Sequence, residues 1–240
     1  MSLLALERVS KRYSTSTREH VVLSDVSLDV EPGELVVVWG MRSSGRSTLL
    51  RIAAGIEPPD AGTVRFRGHD LAKHGDELLG GLIGYCERTF RCAEGQGVLE
   101  QVTVGLLARG MVSRQARLRA QHALARVDAQ GFAARRLGAL DAGESVRIAI
   151  ARTLALRPAL LVIDEPTKGV ELLERDEIIE LLRSLADEGI AILASTTEST
   201  GLAGADRAFA LGEGELRGTP PLELATVVPL RRSSVRRALG

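Results

Sequence analysis

A short, wholly apolar run, Leu35-Val36-Val37-Val38-Trp39, stops at Gly40-Met41-Arg42-Ser43-Ser44-Gly45-Arg46-Ser47-Thr48, and apolar residues resume at Leu49-Leu50. A run without alternation suits a strand covered on both faces of a parallel sheet. A glycine-bearing turn leading straight into a helix start then defines a strand–loop–helix junction. The spacing fits G-x-x-x-x-G-K-[ST], except that Arg46 stands where the pattern has Lys. Glycines let backbone N–H groups wrap an anion, and a helix start adds positive potential. Gly40, Ser43, Ser44, Gly45, Arg46, Ser47 and Thr48 are therefore candidate phosphate ligands. Arg46 is expected to reach the outer phosphates, and the Ser47 hydroxyl to ligate Mg²⁺. Arginine keeps the charge of lysine but exchanges a compact ammonium for a wide planar fork, so the phosphates are expected to sit off their best geometry.

A second apolar run, Leu160-Leu161-Val162-Ile163, ends in Asp164-Glu165-Pro166-Thr167. An acid at a strand end can hold Mg²⁺ through water, which is the role expected of Asp164. Glu165 is placed to orient and deprotonate an attacking water. Further strands are predicted over residues 3–9, 21–30, 63–68, 82–86, 190–195 and 208–211, and a helix over 172–187. Alternation of strands and helices implies a parallel sheet with crossover helices. Residues 98–129 carry helical spacing in two stretches separated by Gly110, which predicts a helical insertion between sheet elements.

Composition narrows the function classes. Lys plus Arg equals Asp plus Glu at 31 each, which argues against a nucleic-acid binder driven by phosphate contacts. No apolar run approaches the roughly 18 residues that span a bilayer. The opening Met1-Ser2-Leu3-Leu4-Ala5-Leu6-Glu7-Arg8 has no basic stretch before an apolar one, so it does not read as a secretion signal. A soluble, cytoplasmic chain is expected, and any part in transport then needs a separate membrane partner. Cys86 and Cys92 form one C-x5-C pair, a poor metal site, and are expected to be reduced thiols.

The segment Leu140-Asp141-Ala142-Gly143-Glu144-Ser145-Val146-Arg147-Ile148-Ala149-Ile150-Ala151-Arg152 resembles the LSGGQ or LSGGE signature of ATP-binding-cassette (ABC) ATPases and the helix that follows it. Phosphate loop, signature and acid-ended strand stand in that family's order. Tyr13, after Ser10-Lys11-Arg12, resembles the family's aromatic residue that stacks on adenine. Val98-Leu99-Glu100-Gln101-Val102 resembles its TVLENV stretch. The resemblance covers about residues 3–218, and the polar loop before Val21 is similar to the lipoprotein-release and macrolide-efflux branch. It implies an α/β fold: a P-loop NTPase (RecA-like) parallel-sheet core with an antiparallel β subdomain and an α-helical subdomain. One domain over 1–225, with the helical part inserted at about 88–150, would precede a basic tail over 226–240 that carries Arg231, Arg232, Arg236 and Arg237. The resemblance implies ATP and Mg²⁺ as cofactors and a membrane permease subunit as partner. It also implies a head-to-tail homodimer or heterodimer, and a place in the cytoplasm on the inner face of the cell membrane. The DNA-repair and chromosome-organising members carry long insertions for which the stretch from Arg88 to Leu140 leaves no room.

The departures from the family pattern bear on catalysis. Arg88 stands where the family has a Gln that touches Mg²⁺ and the attacking water, and arginine cannot accept a metal bond. Thr197 replaces a His that contacts the γ-phosphate. Lys168-Gly169-Val170-Glu171 stands in place of SALD, with Glu171 the substitute for its Asp. Asp141 replaces the signature Ser, which with Gly143 and Glu144 would face ATP on the opposing subunit. Two like charges about 4 Å apart repel by roughly 4 kcal/mol at an effective dielectric near 20. Asp141 with Glu144 three residues on is also a good helix N-cap pair. Two readings stay open: an ABC subunit with weak hydrolysis, and a catalytically inactive nucleotide-binding regulatory or structural subunit. Nothing in the sequence explains why Glu165 persists while other positions have changed.

Overall fold

The computed structural model describes residues 2–14, 19–73, 81–87 and 97–219. The expected site residue Arg88, the thiol of Cys92 and the basic tail lie outside the described residues. Two sheets organise the rest. In the first, β1 (Leu4–Ser14) pairs antiparallel with β2 (Glu19–Val30) on one side and β4 (Ala61–Phe66) on the other, and β5 (His69–Asp70) follows β4. The second has the order β10-β9-β3-β8-β7-β6. Its strands are β3 (Leu35–Trp39), β6 (Ile83–Cys86), β7 (Leu160–Ile163), β8 (Ala191–Thr196), β9 (Arg207–Gly212) and β10 (Glu215–Thr219). Neighbours are parallel except the β9–β10 hairpin.

The apolar runs account for the central position of β3, β7 and β8, because strands covered on both faces need side chains that tolerate burial on both. Residues in β3 alternate between two cores. Leu35 and Val37 pack with Leu161, Ile163, Ile192 and the helical layer, whereas Val36 and Val38 pack with Leu49, Leu50, Leu193 and the antiparallel sheet. Helix α1 (Arg46–Ala53) belongs to the second core. Helices α2 (Val98–Leu107), α3 (Ser113–Ala125), α4 (Ala142–Leu154) and α5 (Leu172–Asp187) contribute to the first. Gly110, at φ 78°, lies between α2 and α3 where the break was predicted. The parallel strands place the loops after β3, β7 and β8 at one end of the sheet, the carboxyl end at which open α/β sheets bind ligands.

Candidate functional site

The loop after β3 follows the fold of an anion cradle. Ser43 at φ 65° and Gly45 at φ 101° take left-handed conformations, which turn backbone N–H groups inward. A Cβ on Gly45 would stand 2.8 Å from the Val22 carbonyl oxygen, and one on Gly40 would stand 2.4 Å from that of Leu211, so both positions need glycine. Helix α1 begins at Arg46 with no side-chain cap, leaving its first-turn N–H groups available to an anion. A cavity of about 260 Å³ opens here, lined by His20, Val22 and the loop from Arg42 to Thr48. The buried Ser44 Oγ and Arg46 Nε and Nη1 have no hydrogen-bond partner, which fits a set of donors awaiting phosphate oxygens.

The acids after β7 meet this loop. Ser47 Oγ donates to Asp164 Oδ2 at 2.7 Å, and Ser195 Oγ donates to Asp164 Oδ1 at 2.5 Å. Arg46 Nη2 donates to Glu165 Oε1 at 2.8 Å, with side chains only 6% and 3% exposed. Lys168 Nζ stands 3.4 Å from Glu165 Oε2. Glu165 sits at φ 49°, a conformation disfavoured for a residue with a Cβ, and its N–H donates to Ser195 Oγ at 3.0 Å. Backbone and side-chain contacts thus hold its carboxylate against the cation of the cradle. Sequence reasoning missed Ser195; its only signal was a hydroxyl ending an otherwise apolar strand.

The other expected residues are distributed around this centre. Tyr13 is the penultimate residue of β1, and its hydroxyl lies 3.4 Å from Thr48 Oγ1. Asp141 caps α4 as its spacing predicted: Asp141 Oδ1 accepts from the Glu144 N–H at 2.8 Å, and Glu144 Oε2 accepts from the Asp141 N–H at 3.1 Å. Gly143 is buried, and a Cβ there would stand 2.6 Å from Glu174 Oε2. Burial, then the neighbouring Asp141, Glu171 and Glu177, push the Glu174 carboxyl up. A cavity of about 170 Å³ separates the first turns of α4 from Asp164, Glu165 and Lys168. Thr197 is exposed on the turn after β8. Cys86 is fully buried beside Thr153, which lies 3.1 Å away, and burial pushes its thiol up to about 11. A buried, protonated thiol of this kind is packing rather than chemistry.

The model of the family described as ABC transporter matches residues 23–168, from β2 through the phosphate loop to the acids after β7. This chain belongs to the ABC transporter family. It is 34% identical over 219 residues to the lipoprotein-releasing system ATP-binding protein LolD of Chromohalobacter salexigens, covering 89% of this chain and 92% of that one. The LolD of Oleidesulfovibrio alaskensis is 33% identical over 219 residues, covering 89% and 95%. Among solved structures, a dimeric ATP-binding cassette in a post-hydrolysis state bound to ADP and Pi superposes with a TM-score of 0.81 at 27% identity, covering 90% of this chain and 97% of that one. The expected fold is therefore found: an ABC cassette with an α/β P-loop core, related to the lipoprotein-release branch. The chain is an ATP-binding subunit of an ABC transporter.

Among the described residues no group of three or more His, Cys, Asp or Glu side chains could hold an ion, and no helix is long and apolar enough to cross a membrane. Ser47 and Asp164 nevertheless supply adjacent hard oxygen atoms. That set fits Mg²⁺, which keeps several waters and completes its shell with substrate phosphates.

Proposed function

We propose that the subunit binds Mg-ATP in the cradle, hydrolyses it slowly, and couples occupancy to a separate membrane permease. It would work as a homodimer or heterodimer at the cytoplasmic face of the cell membrane. The N–H groups of the loop, Ser44 Oγ and the free edge of Arg46 would hold the phosphates, while Ser47 and Asp164 would hold Mg²⁺, which would neutralise charge between phosphates. Tyr13 would carry the adenine.

The observation that carries weak hydrolysis is the buried pair of Arg46 with Glu165. A general base must present a free carboxylate oxygen to water. Here one oxygen is engaged by Arg46 and the other faces Lys168. The pair also supplies a reason for Glu165 to persist without serving as a base: it is the counter-ion that lets a guanidinium stand buried in the loop. Asp141 and Glu174, both at the signature surface, would oppose closure on a partner's triphosphate.

Purified protein is expected to bind Mg-ATP in a calorimeter and turn it over barely above background, with Arg46→Lys combined with Thr197→His raising the rate. Vigorous turnover by the wild-type subunit, abolished by Glu165→Gln, would overturn the weak-hydrolysis reading. The second reading, an inactive regulatory subunit, is favoured by the same pair and predicts no gain from the double substitution.

A further inference from the structure

We propose that Glu57 and Arg51 are positioning residues for the nucleobase, acting through the hydroxyl of Tyr13. This rests on the reading that the cradle holds ATP. Tyr13 is an aromatic residue left 37% exposed, so core packing does not fix its ring. Its polar tip is fixed instead. The hydroxyl donates to Glu57 Oε1 at 2.6 Å and accepts from Arg51 Nη2 at 3.3 Å. Arg51 Nε donates to Glu57 Oε2 at 3.0 Å, and Arg51 Nη2 also reaches Thr48 Oγ1 at 3.3 Å. Lys11 Nζ stands 3.5 Å from Glu57 and 5.8 Å from the centre of the Tyr13 ring. Lys11 is itself held by Pro58 O at 2.8 Å and Asp60 Oδ1 at 3.1 Å. Partial burial pushes the Glu57 carboxyl up, but the Tyr13 hydroxyl and the Arg51 guanidinium outweigh it and keep the group in its anionic, accepting form.

The geometry makes α1 a ruler. The helix starts at Arg46 and Ser47 in the cradle; Thr48 in the same turn and Arg51 in the next receive the tyrosine tip. The separation between base platform and phosphate grip is then set by a rigid element rather than by a swinging side chain. Every base has a π-face, so such a platform favours nucleotides over bare polyphosphates without choosing between bases. Ordering one side chain before binding is worth roughly three- to tenfold in affinity.

Calorimetry with Mg-ATP and with Mg-tripolyphosphate tests this on wild type, Tyr13→Phe, Glu57→Ala and the double variant. Tyr13→Phe keeps the stacking ring and removes only the anchor. Each single substitution is expected to weaken Mg-ATP by roughly three- to tenfold and to leave tripolyphosphate within about twofold. The double variant should be no weaker than either single one, because both break the same bond. Tyr13→Phe binding Mg-ATP as wild type does would overturn the proposal. So would Glu57→Ala weakening both ligands alike, which would mean a general structural role. Wild type binding neither ligand is a different result, which removes the nucleotide reading and the platform together.

Discussion

Arg46 and Glu165 constrain each other at the scale of single residues. A guanidinium 6% exposed inside a glycine loop is tolerable because a carboxylate 3% exposed meets it at 2.8 Å. Removing one member of such a pair costs about 3–5 kcal/mol, while replacing both by apolar side chains is often neutral. Arg46→Met alone is therefore expected to lower the urea midpoint markedly, and Arg46→Met with Glu165→Met to recover most of it. A double variant that loses as much as Arg46→Met and Glu165→Met combined would show that the two side chains do not depend on each other. This pairing was not legible in the sequence. The motif spacing identified both residues but assigned one to phosphate and the other to water, because contact between positions so far apart in the chain depends on where β3 and β7 lie in the sheet. The Ser195 bridge between Asp164 and the Glu165 N–H was hidden for the same reason.

Elements were legible in proportion to their burial. The β3 run from Leu35 to Trp39 and the helix from Leu172 to Asp187 emerged with the predicted bounds, because continuous burial or one apolar face leaves a periodic trace. The β10 edge strand, Glu215–Thr219, went unread: it pairs on one side only and has a polar sequence. β1 runs on through Lys11, Arg12 and Tyr13 past its predicted end, held by pairing to β2 rather than by apolar pattern. Where β9 enters the sheet, Asp206 accepts from the Leu35 N–H at 2.8 Å and from Arg183 Nη1 of α5 at 2.6 Å. Partial burial raises its carboxyl, but the Leu35 N–H and Arg183 outweigh this and hold it below the usual carboxylate range. A carboxyl depressed by folding adds stability above its unfolded value, and that stability is lost as pH falls through its folded one. Asp206→Asn is thus expected to flatten the acid limb of stability against pH below about 4, measured by urea unfolding, with wild-type and variant curves converging at the acid end. Parallel curves through that range would mean that Asp206 is already protonated or unpaired in the native protein.

At the scale of the molecule, the antiparallel sheet and the phosphate loop share a seam. Val22 of β2 lies against Gly45, and the next turn of contact runs from the Ser24 N–H to the Gly214 carbonyl at 2.8 Å. Tyr13 sits in the same sheet as Val22, while Arg46 and Ser47 open a helix packed on the parallel one. A nucleotide spanning Tyr13 and the cradle would touch both sheets at once and behave as a rivet across the seam. Amide deuteration in β1 and β2 should slow when Mg-ATP is added, more than with Mg-tripolyphosphate, which fills only one end. Uptake unchanged in those strands would mean that the seam is already rigid. If the strands do tighten, a motif usually read as a place for chemistry also serves this chain as a ligand-operated clasp, and its output needs no bond to break.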